Sequence, residues 1–184
     1  AYNLAGAYVA NKKENDAIAL LTKVTKTYKN DPGLFARLGD SYFSNQNIAD
    51  AAKAYENALK LDPEYPTVSL KLANIYAMQH KLKESEKMFE HALQQSPQDP
   101  KVLASYASIL LANNKPEDAI RAAKNSLQYK VEAETYITLG QSYETMKDAQ
   151  NAIIAYEKAI ALGKRNPEVM GRVKELKEIV SKQG

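Results

Sequence analysis

Residues 32–65 read PGLFARLGDSYFSNQNIADAAKAYENALKLDPEY, and the fold turns on how this stretch divides and recurs. The first half, Leu34 to Ser44, carries a helical pattern that breaks at Asn45-Gln46-Asn47. The second runs from Ile48 to Leu61, where Ile48, Ala51, Ala52, Tyr55, Ala58 and Leu59 recur at steps of three and four. That spacing places them on one face of a helix. Asp62-Pro63 stops it, because proline disfavours the α region in the residue before it. Working outward, the same beat returns. Pro32, Pro66 and Pro100 lie 34 residues apart, as do Pro63 and Pro97. Ala17, Ala51, Ser85 and Ala119 keep that interval, and so do Tyr8, Tyr42, Tyr76 and Leu110. A fixed period in the range of about 20–50 residues means stacked supersecondary units.

The beat divides the chain into units 1–31, 32–65, 66–99, 100–132 and 133–166. Each holds two helical patterns, A and B, joined by a short polar turn, and no segment alternates with period two. Linkers of two to five residues make consecutive helices antiparallel neighbours. In the fourth unit Pro116, Glu117 and Asp118 open helix B, where proline and acids suit a first turn. Small residues mark close helix approach: Ala5, Gly39, Ala73, Ala107 and Gly140 in helix A, Ala17, Ala51, Ser85, Ala119 and Ala152 in helix B. Large ones fill the complementary column, Leu21, Tyr55, Phe89 and Tyr156, with Ala123 as the exception that predicts looser packing in the fourth unit. Residues 167–183 carry one apolar stripe, Val169, Val173, Leu176 and Val180, amid charge. Lys174 stands where a sixth unit would need a small residue, so this segment reads as a capping helix.

These columns resemble the tetratricopeptide-repeat (TPR) family, whose signature is a large residue, Leu-Gly, Tyr, Ala, an aromatic, Ala and Pro at fixed offsets. The second unit supplies Phe35, Leu38-Gly39, Tyr42, Ala51, Tyr55, Ala58 and Pro63. The third supplies Leu72-Ala73, Tyr76, Ser85, Phe89, Ala92 and Pro97. The fifth supplies Tyr136, Leu139-Gly140, Tyr143, Ala152, Tyr156 and Ala159. The resemblance implies an all-α, right-handed superhelical solenoid forming a single domain over 1–184, with a concave groove that binds peptides or protein surfaces.

Composition narrows the function classes. Apolar residues make up 45%, enough for a core, and the formal charge is +3. Residues 1–92 carry 12 basic against 11 acidic side chains and residues 93–184 carry 13 against 11, so neither half forms the basic patch of a nucleic-acid binder. No stretch approaches the length of a membrane span. The absence of cysteine excludes disulfides and thiolate metal sites. His80 and His91, the two histidines, read as a turn residue and a surface helix residue, short of the three or four ligands a metal needs. No Ser/His/Asp arrangement and no glycine-rich phosphate loop is readable, so neither enzyme nor cofactor is expected. Most of the twelve tyrosines sit in signature columns, which favours core packing over base stacking; Tyr2, Tyr65 and Tyr129 are less accounted for.

By resemblance, the groove comes from helix A. Its polar members here are Arg37, Asp40, Lys71, Asn74, Lys101, Ser105, Ser108, Glu134, Thr138 and Gln141. Ala36, Leu70, Met78 and Ala104 add apolar surface, with Phe43 and Leu111 beside them. Arg37, Lys71 and Lys101 come from successive units and predict a basic track for an acidic segment of a partner. The clamp that one subclass of the family uses for chaperone C-termini is not matched: Ala36/Asp40, Lys71 and Lys101/Ser105 fail its pattern. The expected function is therefore a protein-interaction scaffold. The alternatives are a regulatory or targeting segment of a larger enzyme or secretion complex, or a self-associating structural scaffold. The chain starts inside helix A without a methionine, so it reads as an excerpt of a longer, bacterial protein. Leu4 and Tyr8 are expected to lack cover at that end and to offer a self-association surface.

Overall fold

The structure, a computed structural model, describes residues 14–65 and 67–182. Among the described residues it contains ten helices and no strand. They are α1 (Glu14–Thr27), α2 (Pro32–Ser44), α3 (Ile48–Leu61), α4 (Val68–Met78), α5 (Leu82–Gln95), α6 (Pro100–Ala112), α7 (Pro116–Tyr129), α8 (Ala133–Thr145), α9 (Ala149–Ala161) and α10 (Pro167–Ser181). The fold is an all-α stack of helix hairpins. The chain divides into two compact units, residues 1–95 and 96–184. Within each unit every helix packs on the next in sequence, and in the second α6 also meets α8 directly.

The proline beat marks where A helices begin. Asp31 accepts the N–H of Leu34 at 3.2 Å, and Pro32 follows it. Asp99 accepts from Lys101 at 2.9 Å and Val102 at 3.3 Å ahead of Pro100. Asn166 accepts from Val169 at 2.8 Å, and Pro167 comes next. The side chain satisfies an N–H that the helix itself cannot, while proline brings no N–H to satisfy. Pro66 lies outside the described residues.

The A-to-B turns end in one shared conformation. Gln46, His80, Asn114 and Lys147 all take a left-handed backbone, with φ of 60°, 57°, 58° and 61°. The next N–H then reaches back five residues: Asn47 to Tyr42, Lys81 to Tyr76, Lys115 to Leu110 and Asp148 to Tyr143, at 2.8 or 2.9 Å. This helix-terminating motif turns the chain sharply enough to lay helix B against helix A. It gives His80 a backbone role.

The small-residue columns are buried as their spacing predicts. Ala17, Ala51, Ser85, Ala119 and Ala152 have no exposed surface, and neither do Ala73 and Ala107. The Ser85 hydroxyl donates to the Ala73 carbonyl at 2.8 Å, so a polar residue in that column stays satisfied. Gly39 and Gly140 sit face-on to tyrosine rings. A Cβ at Gly39 would lie 2.6 Å from the Tyr55 ring, and one at Gly140 2.6 Å from Tyr156. Glycine thus stands where the facing residue is tyrosine, and alanine where it is Phe89 or Ala123. Ala123 is itself wholly buried, in one cluster with Ala107, Ala119 and Ala122.

Helix α10 buries Val169, Val173 and Leu176 and leaves Lys174, Lys177 and Glu178 exposed. Lys177 pairs with Glu157 of α9 at 2.7 Å. Each buried residue follows its counterpart in α4 (Val68, Leu72, Ile75) by 101 positions, three repeats less one residue. The capping helix therefore docks as a helix A does. Ala5, Leu4 and Tyr8, and with them the uncovered starting end, fall outside the described residues.

Candidate functional site

The A-helix face of the first unit comes from α2 and α4. Asp40, Phe43, Lys71 and Asn74 line a cavity of about 300 Å³ together with Ser44 and Tyr55. Phe43 and Met78 are 43% and 57% exposed, so this face has apolar surface to offer. Arg37 and Met78 stand on the same helices without lining the cavity. Ala36, expected in the groove, is buried in the core against residues such as Tyr55 and Leu72.

Lys71 has a partner within the unit. Its ammonium donates to Asp40 Oδ1 at 2.6 Å and lies 5.8 Å from the centre of the Tyr55 ring. The Tyr55 hydroxyl donates to the same carboxylate oxygen at 2.5 Å. Burial of Tyr55, 2% exposed, and then the adjacent carboxylate push its phenol far above the ordinary tyrosine range. An acidic ligand would have to compete with Asp40 for Lys71.

The second unit repeats this device with different spacing. Tyr156 donates to Glu144 Oε1 at 2.6 Å, and the Arg172 Nε of α10 donates to Glu144 Oε2 at 2.5 Å. Arg172 follows Lys71 by 101 residues and Tyr156 follows Tyr55 by the same number, so these two keep their columns. The carboxylate does not: the repeat position of Asp40 holds Gln141, and Glu144 projects from one helical turn further on. Gln141 lines a cavity of about 570 Å³ with Glu144, Tyr156 and Arg172. Lys101, Ser105, Ser108, Glu134 and Thr138 line another of about 350 Å³ with Ala104, Glu132 and Thr135. Glu134 pairs with Lys164 of the segment after α9, which holds its carboxyl below the usual range, helped by its own backbone N–H.

One arrangement was not readable in the sequence. Ser69 Oγ lies 2.7 Å from His91 Nδ1, and His91 Nε2 lies 3.2 Å from Glu64 Oε1. His91 is thus half-buried and bonded at both ring nitrogens, a correction to its reading as a surface residue. The order of groups is that of a serine nucleophile and its base. Ser69, however, has no exposed surface, so no substrate reaches its oxygen. The imidazole instead ties α5 to α4 and to the turn before it. Among the described residues no group of three His, Cys, Asp or Glu gathers as metal ligands, and no helix is long and apolar enough to cross a membrane.

No curated protein matches the sequence. Solved structures do match in fold. The chain superposes on YrrB, described as a TPR protein with an unusual peptide-binding site, with a TM-score of 0.88 at 15% identity, covering 94% of this chain and 89% of that one. MamA from Desulfovibrio magneticus RS-1 gives 0.80 at 17% identity, covering 90% and 94%. At these identities the likeness shows the fold alone. Three models described as tetratricopeptide repeat match residues 36–100, 78–139 and 133–163. Together they cover residues 36–163, reaching into both compact units: this chain belongs to the tetratricopeptide-repeat family.

Proposed function

We propose that the chain is a non-catalytic interaction scaffold that docks a segment of a partner protein on the A-helix faces of its two units. The observation carrying this reading is that groove residues expected from repeat position gather at open cavities: four at one in the first unit, six at another in the second. Their linings mix an ammonium, amides or hydroxyls and apolar surface, a composition suited to a peptide's backbone and side chains. The peptide-binding site in the description of YrrB supports the same reading by analogy of fold. The pairing of Lys71 with Asp40 alters the expected basic track. In the first unit the face is near neutral and reads a partner through Phe43, Asn74 and Met78. An acidic segment fits the Lys101 face of the second unit better.

The test is capture of the partner by the chain, followed by substitution at exposed groove positions. Phe43→Ser with Asn74→Arg should weaken binding at least about tenfold, as loss of an interface anchor does, with unchanged melting. Full binding by this variant and by Lys101→Glu would reject the groove.

A further inference from the structure

The two units build one cavity in different chemistry. In the first it is lined by Asp40, Phe43, Tyr55, Lys71 and Asn74 with Ser44. The residues 101 positions on from the first five, Gln141, Glu144, Tyr156, Arg172 and Glu175, all line the cavity of about 570 Å³ in the second. The first cavity holds one carboxylate and one ammonium, which pair with each other, so it is neutral. In the second, Glu144 and Glu175 stand at the positions of Phe43 and Asn74, and Glu168 adds a third carboxylate. The one cation in that lining, Arg172, is engaged by Glu144 at 2.5 Å and Glu175 at 2.7 Å. Two negative charges are left in excess, and Glu168 has no cation partner among the described residues. A second observation is independent of charge. Gly171 lies inside α10 and on the cavity wall. Glycine weakens a helix interior, and no packing asks for it here: a Cβ at Gly171 would meet nothing within 4 Å. The first unit holds Leu70 at the same repeat position. Glycine there leaves open space against the α10 backbone that a ligand can occupy.

The arrangement sets the ligand class. A metal ion needs ligands that converge on one point, and no such group of His, Cys, Asp or Glu exists among the described residues. The carboxylates instead share the wall with apolar surface from Ile137 and Pro167 and the amide of Gln141. That combination fits a long side chain with an aliphatic stem and a cationic head. A guanidinium suits it best, because its planar fork binds carboxylates with two parallel hydrogen bonds. We infer that this cavity takes one arginine side chain of a partner segment, its stem along Ile137 and Gly171 and its head paired with Glu168. The inference rests on the scaffold reading only for the source of that arginine.

The experiment follows backbone amides by NMR in the intact 184-residue chain. The probes are a peptide of about five residues with blocked termini, a central arginine and flanking alanines, its counterpart with neutral citrulline, and calcium chloride. The arginine peptide should shift the amides of Gln141 and Gly171 saturably, and the citrulline peptide should bind about tenfold more weakly. Glu168→Gln should shrink that difference to about twofold with melting unchanged, since the carboxylate it removes has no cation within the chain. Gly171→Leu, which restores the residue of the first unit, should abolish binding of both peptides while raising the melting temperature. A purely structural glycine would give the reverse, lower melting with binding intact. Equal binding of the two peptides, silent amides at 141 and 171, full binding by Gly171→Leu, or tighter binding of calcium than of the arginine peptide would overturn the inference. If it falls while partner capture still depends on Phe43 and Asn74, the scaffold reading stands. If the arginine peptide binds here while capture ignores every A-helix variant, the scaffold reading falls alone.

Discussion

Gly39 and Tyr55 show how single positions set the helix spacing. With 2.6 Å between a hypothetical Cβ and the ring, Gly39→Ala must push α2 and α3 apart or tilt the tyrosine. It should cost about 2 kcal/mol in chemical denaturation, and Gly39→Leu more. The fourth repeat, with Ala107 and Ala123 in the same two columns, supplies the control. Gly39→Ala combined with Tyr55→Ala should be less destabilised than the sum of the single changes, and strict additivity would refute the contact. The left-handed turn residues give a prediction of opposite sign. Lys147 takes φ 61° with a side chain that strains there, so Lys147→Gly should stabilise by about 1 kcal/mol, read as a higher melting temperature. Much of this scale was legible in advance. Repeat spacing marked Gly39 and Gly140 as sites of close approach, because packing columns recur with the period. The Asp40–Lys71 pair was not legible, since it joins different repeats and neither residue belongs to a packing column.

At the scale of helices, tyrosine, carboxylate and cation fasten α2 to α4 and α8 to α10, each an A helix to the one that follows. The motif escaped the sequence because its carboxylate shifts by one turn between Asp40 and Glu144 while tyrosine and cation hold their columns. Column-by-column reading therefore pairs Asp40 with Gln141 and finds nothing. Arg172 joins α10 to α8 through Glu144, whose side chain is 16% exposed. Arg172→Ala should destabilise the second unit by about 1 kcal/mol, because it leaves that carboxylate without its cation. The phenols make the fold sensitive to alkali. Tyr55 and Tyr156 are held neutral well above the ordinary range, first by burial and then by Asp40 and Glu144. In the unfolded chain both ionise near pH 10, so the folded state binds more protons there and stability falls as pH rises past about 10. This contribution is complete below that pH. Urea titrations at pH 8 and 11 should show the loss, and Tyr55→Phe with Tyr156→Phe should reduce it, leaving the part that comes from Tyr76, whose phenol is also raised by burial and then by Glu56.

Over the whole molecule, repetition specified the scaffold far better than the site. Helix existence, order and core followed from spacing, because stacking demands the same residues in every repeat. The groove has no such demand, so its residues diverge, and sequence position alone placed them on helix A without showing which cations were already paired. The central claim is that partners dock on A-helix faces, and site-specific photocrosslinking tests it most directly. A benzophenone amino acid would be placed singly at Asn74, Ser108 and Gln141 on A helices and at Lys53, Lys87 and Arg121 on B helices, all exposed positions. The account predicts crosslinks to the captured partner from the first three. Crosslinks from Lys53, Lys87 and Arg121, with none from Asn74, Ser108 or Gln141, would contradict it.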